Sequence, residues 1–401
     1  MNSYKILWLL SIAQFLAMQV WFNFSAVLPV VEAEWGLTST QSGIIIAFFH
    51  LGYVIAILFY SFMSDKYDPK QSFVYGAFIA AISGILLCFF AQGFWTTLIL
   101  RTISGIGIAG IYVPGMRILS QLFPATERGK ALGVYVGSLV VGSGFSLLVS
   151  GLFIEMIGWQ GVVFITSTFC LLASLIVFFV KIPPMPSSNG SAFDLKKIKR
   201  VFKKPNLLVN GGYAGHCWEL YAMWAWIGPF LVYYFLQQGF EQESAIRFGN
   251  IAGALVIMIG GVATYIGGRV SDGIGRVKAA TFFLVISIFC SIAIGWFIQL
   301  PIIIMLLLAI VYGFTIVADS PIYNVSITEV SDPDVIALAL GVQSVLGFTV
   351  TIFSPIVFGY VLDQFNWGMA FMVIGIVTIV APICMLLLGK IQHTTKLHQG
   401  Q

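Results

Sequence analysis

Long uncharged stretches separated by short polar segments run along the whole chain. The first lies between Lys5 and Glu32, and comparable runs follow it to the C-terminus. A helix needs about 20 apolar residues to cross a bilayer. The uncharged run 279–318 is about twice that length and is interrupted at Gln299-Leu300-Pro301, which predicts two helices. With two further spans that carry charges, 97–122 and one starting near 207, the pattern predicts twelve transmembrane helices.

Positive charges show which side each loop occupies. With the N-terminus inside, 17 of the 20 Lys and Arg residues fall in segments on that same side. Cytoplasmic loops carry such an excess of Lys and Arg. We therefore expect a multi-pass protein of a bacterial cytoplasmic (inner) membrane, with both termini in the cytoplasm.

Composition agrees with a membrane protein. Only 9% of the residues are charged and 59% are apolar, whereas soluble domains carry about 25% charged residues. This excludes an ordinary soluble enzyme, a disordered chain and a nucleic-acid binder. The cysteines lie in apolar runs at no metal-like spacing, which predicts neither disulfides nor a metal site. They are Cys88, Cys170, Cys217, Cys290 and Cys384.

The longest polar segment divides the chain into two parts. We predict a six-helix bundle over 1–182, a cytoplasmic linker over 183–206, a second six-helix bundle over 207–390 and a tail over 391–401. The two bundles share sequence. Ala131-Leu132-Gly133-Val134 recurs as Ala339-Leu340-Gly341-Val342, at an offset of 208. Six plus six parallel repeats around a midplane site is the architecture of a large class of transporters.

Two loop motifs and one span motif resemble the major facilitator superfamily. Its loop motif stands as Gly268-Arg269-Val270-Ser271-Asp272-Gly273-Ile274-Gly275-Arg276, and less completely as 61–70, where Asp65 matches Asp272 at an offset of 207. Its fourth-span motif stands as 98–107, with Arg101, followed by Glu127-Arg128-Gly129-Lys130. The resemblance covers the whole chain and implies an all-α membrane protein of two pseudo-symmetric six-helix bundles.

The loop motif predicts a conformational latch near the cytoplasmic ends of the helices. A carboxylate there can accept bonds from a helix N-terminus or from Arg in one rocking state and release them in the other. A solvated turn anchored by positive charge is the alternative. The residues assigned to this latch are Asp65, Lys66, Gly268, Asp272, Arg276, Glu127 and Arg128.

Ionisable residues inside the membrane are costly and mark candidate functional positions. The resemblance implies that Arg101 faces the central cavity and takes part in substrate binding or proton coupling; a structural ion pair is the alternative. Asp319 precedes Pro321, so the tenth span is predicted to be broken near a carboxylate. His50 and Asn23 are further candidates for the lining, although His50 also suits an ordinary polar core position.

The seventh span, from Tyr213 to Pro229, has the densest candidate chemistry. His216 and Glu219 are three residues apart and share a helix face, where they can carry a proton. Trp218, Tyr221 and Trp224 can stack on a planar substrate or hold a cation, or can simply pack. The stretch also resembles a bacterial branch grouped loosely with nitrate/nitrite porters, but the glycine-rich nitrate signatures of the fifth and eleventh spans are missing.

These features predict a secondary active transporter. The chain has no Gly-x4-Gly-Lys-Ser/Thr phosphate loop, and the fifth span lacks the Gly-Pro pair of drug–proton antiporters. We predict proton-coupled import (symport) of a small organic, anionic solute by alternating access. The alternatives are a proton-driven exporter of drugs, metabolites or siderophores, and a non-transporting sensor on the same fold. No enzyme activity, cofactor or nucleic-acid partner is expected; the predicted partners are substrate, protons and the lipid bilayer, around a monomer.

Overall fold

The computed structural model describes residues 2–63, 68–183 and 199–398, and these residues form α-helices and one short 3-10 helix without any β-strand. The N-terminal half contains five helices: α1 Ser3–Trp35, α2 Ser39–Met63, α3 Pro69–Phe90, α4 Phe94–Leu122 and α5 Ala125–Phe179. The C-terminal half contains nine: α6 Lys204–Gln237, α7 Gln242–Met258, α8 Gly260–Ile274, α9 Arg276–Ile294, α10 Ile302–Ala318, α11 Ser320–Val330, α12 Ile336–Gln364, α13 Trp367–Thr378 and α14 Val380–His398.

These helices make the twelve membrane crossings that the sequence predicts. Ten helical stretches of the described residues are long and apolar enough to cross a bilayer. One of them is α5, whose 55 residues turn at Gly158 (φ 67°), so it crosses twice. The helix α6 is too rich in polar and aromatic residues to be among the ten, but its 34 residues are long enough to span. Three crossings are broken helices, namely α7 with α8, α10 with α11, and α13 with α14.

Local sequence explains where several helices begin and break. The side chains of Asn2, Asp68 and Asn366 accept bonds from the first backbone N–H groups of α1, α3 and α13. The break between α10 and α11 falls at Asp319, two residues before Pro321, as predicted. A proline frees a backbone carbonyl at that point and so interrupts the helix.

The two halves press together at the end of the bundle opposite the termini, which we call the outer end. There α2 packs on α12, and α5 packs on α7. A side chain at Gly43 would overlap the backbone of Pro355, and one at Gly359 would overlap that of Ser39. Close backbone approach of this kind requires small residues. The outer end is therefore shut.

No such close contact is found at three glycines near the inner end, which carries both termini. Gly133 and Gly137 of α5 and Gly341 of α12 have nothing within 4 Å of the position that a Cβ would occupy. Among the described residues, close backbone contact between these helices is therefore seen at the outer end and not at these three inner positions.

A network of charges ties the end of the central linker to the C-terminal half. Arg200 donates to both oxygens of Asp334 at 2.7 Å, and its Nε donates to Asp332 at 2.9 Å. Lys203 also donates to Asp332, at 2.8 Å. The start of α6 is thus held against the turn that joins α11 to α12.

We expect Asp332→Asn to lower the thermal unfolding temperature slightly at neutral pH. Lys203, and next Arg200, hold the pKa of Asp332 below its ordinary value of 3.8. A carboxyl with a depressed pKa in the folded state stabilises the fold above its unfolded pKa, and this contribution is lost as pH falls through the folded pKa. Thermal unfolding in detergent across a pH series measures the effect, with Glu241→Gln as the exposed control. A difference that grows on acidification contradicts the prediction.

Candidate functional site

The helix α6 forms the wall between two clusters of polar and aromatic side chains. Successive residues of an α-helix are rotated by about 100°, so Glu219 and Tyr221 point in nearly opposite directions. Glu219 faces α9 inside the C-terminal half, where it meets Ser287. Tyr221 faces the N-terminal half, where it meets Trp21 and His50.

Glu219 lies in the interior of the C-terminal half. The side chain is 1% exposed, and its Oε2 accepts one hydrogen bond from Ser287 at 3.1 Å. Its Oε1 makes no hydrogen bond of good geometry among the described residues, although the hydroxyl of Tyr312 lies close enough to interact with the carboxyl. None of the described ion pairs includes Glu219. Burial of a charged carboxylate without a cation costs free energy, and a bound proton removes that cost.

His216 and Asp319 form a buried pair one turn away from Glu219. His216 Nδ1 lies 2.8 Å from Asp319 Oδ1, off the line of a well-aligned hydrogen bond, and both side chains are at most 2% exposed. His216 Nε2 lies 2.7 Å from the hydroxyl of Ser320. The predicted break in the tenth span therefore places Asp319 and Ser320 next to the imidazole of His216. We call His216, Glu219, Asp319, Ser287 and Ser320 the carboxylate cluster.

A second cluster lies where the two halves meet, and we call it the aromatic cluster. Trp21 stacks on Tyr221 with ring centroids 5.9 Å apart, and Tyr53 contacts Phe348 at 4.8 Å. The whole set consists of Trp21, His50 and Tyr53 from the N-terminal half, and Tyr221, Trp224 and Phe348 from the C-terminal half. Contacts between large rings stabilise this closed arrangement.

His50 bridges the halves in one defined tautomer. Its Nε2 accepts a hydrogen bond from the indole of Trp21 at 3.2 Å, and its Nδ1 lies 2.9 Å from the carbonyl of Thr351 on α12. An indole N–H only donates and a carbonyl only accepts, so the proton is on Nδ1 and the ring is neutral. Both ring nitrogens are therefore satisfied in the closed arrangement.

Arg101 is bound to α1 rather than to a carboxylate. One terminal nitrogen donates to the carbonyl of Val20 at 2.7 Å and to the side chain of Asn23 at 3.0 Å, and the other donates to the carbonyl of Trp21 at 2.8 Å. The guanidinium carbon also lies 4.4 Å from the ring centre of Phe49. No ion pair of the described residues includes Arg101, which is 3% exposed. Its charge is thus buried directly behind Trp21.

The structure separates several residues that the sequence groups together. Arg101 and Glu219 lie in different halves and do not neutralise each other. Asn23 joins α1 to α4 and α5, since its amide also donates to Thr166. Trp218 is half-buried, and its indole N–H has no partner among the described residues.

The latch residues of the C-terminal half contact one another. Arg276 pairs with Asp272, donates to Ser271 at 2.7 Å, and reaches Glu329 of α11 at 3.1 Å. These contacts all lie within one half, and Gly268 beside them borders open space. The latch role stays a prediction.

In the N-terminal half, Glu127 accepts a hydrogen bond from the hydroxyl of Tyr4 at 2.9 Å, and Arg128 is exposed. Asp65 and Lys66 lie outside the described residues.

Sequence reasoning alone missed several members of both clusters. Ser287 and Ser320 are common residue types with no motif, and Phe348 and Thr351 are ordinary residues of an apolar span. Their roles depend on which helices become neighbours. Trp21 had one available signal, because a polar-tipped aromatic in mid-span needs a partner when it is buried. Among the described residues, no group of three or more His, Cys, Asp or Glu could hold a metal ion.

Twelve crossings around a central aromatic cluster, with ionisable groups in both halves, define a multi-pass integral membrane carrier rather than an enzyme. The model of the Major Facilitator Superfamily matches residues 10–348 and 220–400 of this chain. The chain therefore belongs to that superfamily, and the resemblance inferred from its motifs is confirmed, as is the all-α fold class.

Comparisons with known proteins place it among transporters. It is 25% identical over 68% of its length to the "Probable sulfoacetate transporter SauU" of Cupriavidus necator, and 33% identical over 36% of its length to the nitrate/nitrite transporter NrtP of Picosynechococcus. These alignments span 65% and 26% of the two relatives, less than two thirds of either.

A solved structure shares the whole fold. The crystal structure of a bacterial homologue of the human lysosomal transporter Spinster, inward-facing and unoccupied, has a TM-score of 0.78, with 16% identity and 97% coverage of both chains. At that identity the likeness concerns the fold alone. Secondary transport is the function that the family and these relatives support.

Proposed function

We propose that this carrier imports a small organic anion together with protons, by alternating access. The observation that carries the proposal is the separation of charge across the centre. Among the described residues, the buried Arg101 cation of the N-terminal half pairs with no carboxylate, and the buried Glu219 of the C-terminal half pairs with no cation. An anion is stabilised electrostatically near Arg101, and a bound proton is stabilised on the buried carboxylate of Glu219.

The positive charge acts on the substrate through its field. Both terminal nitrogens of Arg101 are occupied by α1, so a direct grip on the substrate would require breaking these bonds. A buried charge in a low dielectric still raises the potential around it, here at the rings of Trp21 and Phe49. The names of two relatives, a sulfoacetate transporter and a nitrate/nitrite transporter, support an anionic substrate.

The carboxylate cluster is the proposed proton carrier. Glu219 holds one proton, and the adjacent His216–Asp319 pair, whose Nδ1 and Oδ1 atoms lie 2.8 Å apart, offers a second position for one. Protonation of these groups removes net charge from the C-terminal half before the carrier changes conformation. We further propose that the protein works as a monomer in a bacterial inner membrane, with the inner end in the cytoplasm.

The aromatic cluster favours a second candidate, an exporter of planar amphipathic compounds such as drugs, metabolites or siderophores. Six aromatic rings, of which Trp21 and Tyr221 stack and the others pack tilted or edge-on, suit a flat apolar body better than a small polar anion. The direction of the pH-driven flux and the chemistry of the ligand separate this candidate from the first.

We expect an inward proton gradient to drive uptake of an organic acid into proteoliposomes. A thermal-shift screen of the purified protein against sulfonates, carboxylates, amino acids and planar cations first selects the ligand. Labelled uptake is then measured with the interior alkaline, with and without a protonophore, together with internal pH. Uptake that is unaffected by the protonophore contradicts proton coupling. Accumulation of the substrate in a deletion strain contradicts import.

A further inference from the structure

The N-terminus of α2 is capped by the opposite half of the molecule. The first N–H groups of an α-helix have no partner within the helix. Thr38 and Gln41 form a reciprocal capping box at this end, with bonds of 3.0 and 3.2 Å, and so satisfy the N–H of Gln41. The N–H groups of Ser39 and Thr40 remain, and both donate to the carboxylate of Asp363 at 2.8 Å. The hydroxyl of Thr40 donates to it as well.

Asp363 lies at the outer end of α12, across the junction between the halves. Two charge-assisted bonds and the positive end of the α2 dipole act on one carboxylate. Four residues earlier on α12, Gly359 touches the backbone of Ser39, so the two helices meet without an intervening side chain. These bonds can persist only while the outer end is shut.

The pseudo-symmetric position lacks this arrangement. At the offset of 208 that relates the halves, Gly359 corresponds to Gly151 and Asp363 corresponds to Glu155. Gly151 approaches the backbone of Arg247 on α7 just as Gly359 approaches that of Ser39. Glu155, however, is exposed, and the N-terminus of α7 receives no side-chain cap from its own N-cap residue. The close packing is thus repeated, but the ionic cap is not.

We propose that Asp363 is an outer latch, which holds the carrier closed at the outer end by capping α2 from the other half. Opening the outer end exposes two N–H groups and the carboxylate to water, and the free energy of the cap opposes that step. Because the latch acts on the equilibrium between conformations, it is independent of which substrate is carried and of whether protons drive transport.

The test measures the two ends of the molecule separately. Spin labels at Gln92 and Glu241 report the outer distance between the halves, and labels at Lys130 and Lys278 report the inner one. All four positions are exposed. The labels are placed in a background without the five native cysteines, and distances are measured by pulsed electron resonance in lipid nanodiscs. Asp363→Asn is the main variant, and Glu155→Gln is the matched control.

Asparagine keeps one acceptor oxygen but loses the charge and one of the two N–H bonds. We expect Asp363→Asn to raise the population with a long outer distance about fivefold, and to shorten the inner distance in the same fraction of molecules. Glu155→Gln leaves both distributions unchanged. Thr40→Val removes only the hydroxyl bond and gives a smaller shift in the same direction; it also serves as the test should Asp363→Asn fail to fold. Unchanged distributions in the Asp363 and Thr40 variants, or an equal shift in Glu155→Gln, overturn the proposal.

Discussion

Replacement of Glu219 by glutamine should abolish proton-driven accumulation while leaving the substrate able to exchange across the membrane. Glutamine has nearly the same volume and can keep the hydrogen bond to Ser287, but it cannot take up a proton. A gradient of about one pH unit can drive roughly tenfold accumulation per coupled proton, since one pH unit is equivalent to a factor of ten. We therefore expect accumulation to fall to the level set by the gradient of the substrate itself.

Two assays separate this loss of coupling from a loss of folding. Counterflow of labelled against unlabelled substrate needs alternating access but no net proton movement, so Glu219→Gln should retain it. Glu243→Gln, an exposed carboxylate in the first turn of α7, is the control and should change neither assay. Full proton-driven accumulation in Glu219→Gln is incompatible with Glu219 as a proton carrier.

Arg101→Ala should lose both stability and transport. The side chain makes three hydrogen bonds that fasten α4 to α1, and it packs on Phe49. Hydrogen bonds to charged groups contribute about 1.5–3 kcal/mol each, although the carbonyls of Val20 and Trp21 can keep their helical bonds. We expect the free energy of unfolding to fall by about 2–4 kcal/mol, together with substrate affinity.

Two milder substitutions separate the effect of the hydrogen bonds between Arg101 and α1 from the effect of its positive charge. Arg101→Gln retains donors for the α1 carbonyls but carries no charge, so it should recover stability and still bind an anion weakly. Arg101→Lys retains the charge but not the two-armed geometry, so it should recover affinity more than stability. Thermal unfolding and ligand titration on the same preparations measure the two effects. A glutamine variant that binds the anion as tightly as the unaltered protein rules out the proposed role of the buried charge.

The number of spans and the fold class could be predicted from the sequence because both follow from local features. Uncharged runs set the crossings, and Pro321 together with Asp319 predicted the break between α10 and α11. The pairing of His216 with Asp319 was not predicted, because the sequence does not show that these two helices are neighbours. The offset of 208 also relates Asp363 to Glu155, although only the structure shows that one of them caps a helix.

The contacts of Arg101 could not be predicted, because they depend on the distance between two helices that are far apart in sequence. A mid-membrane cation suggests a carboxylate or a substrate as its partner, whereas here backbone carbonyls of α1 serve instead. A carbonyl in a helix keeps a second lone pair, and nothing in the sequence marks which carbonyl will use it. The same reason explains why Thr351 was not foreseen as the partner of His50.

The polarity of α6 has a consequence for how the chain is made. This helix is less apolar than the ten stretches that are long and apolar enough to cross a bilayer, because it carries His216, Glu219 and several indoles and phenols. For a nascent segment of this kind, the free energy of insertion into lipid without neighbouring helices is only weakly favourable. Ser287 and Asp319, which meet its polar side chains, are synthesised some 70 to 100 residues later. We therefore expect the stable integration of α6, the element most involved in the proposed chemistry, to await the helices that follow it.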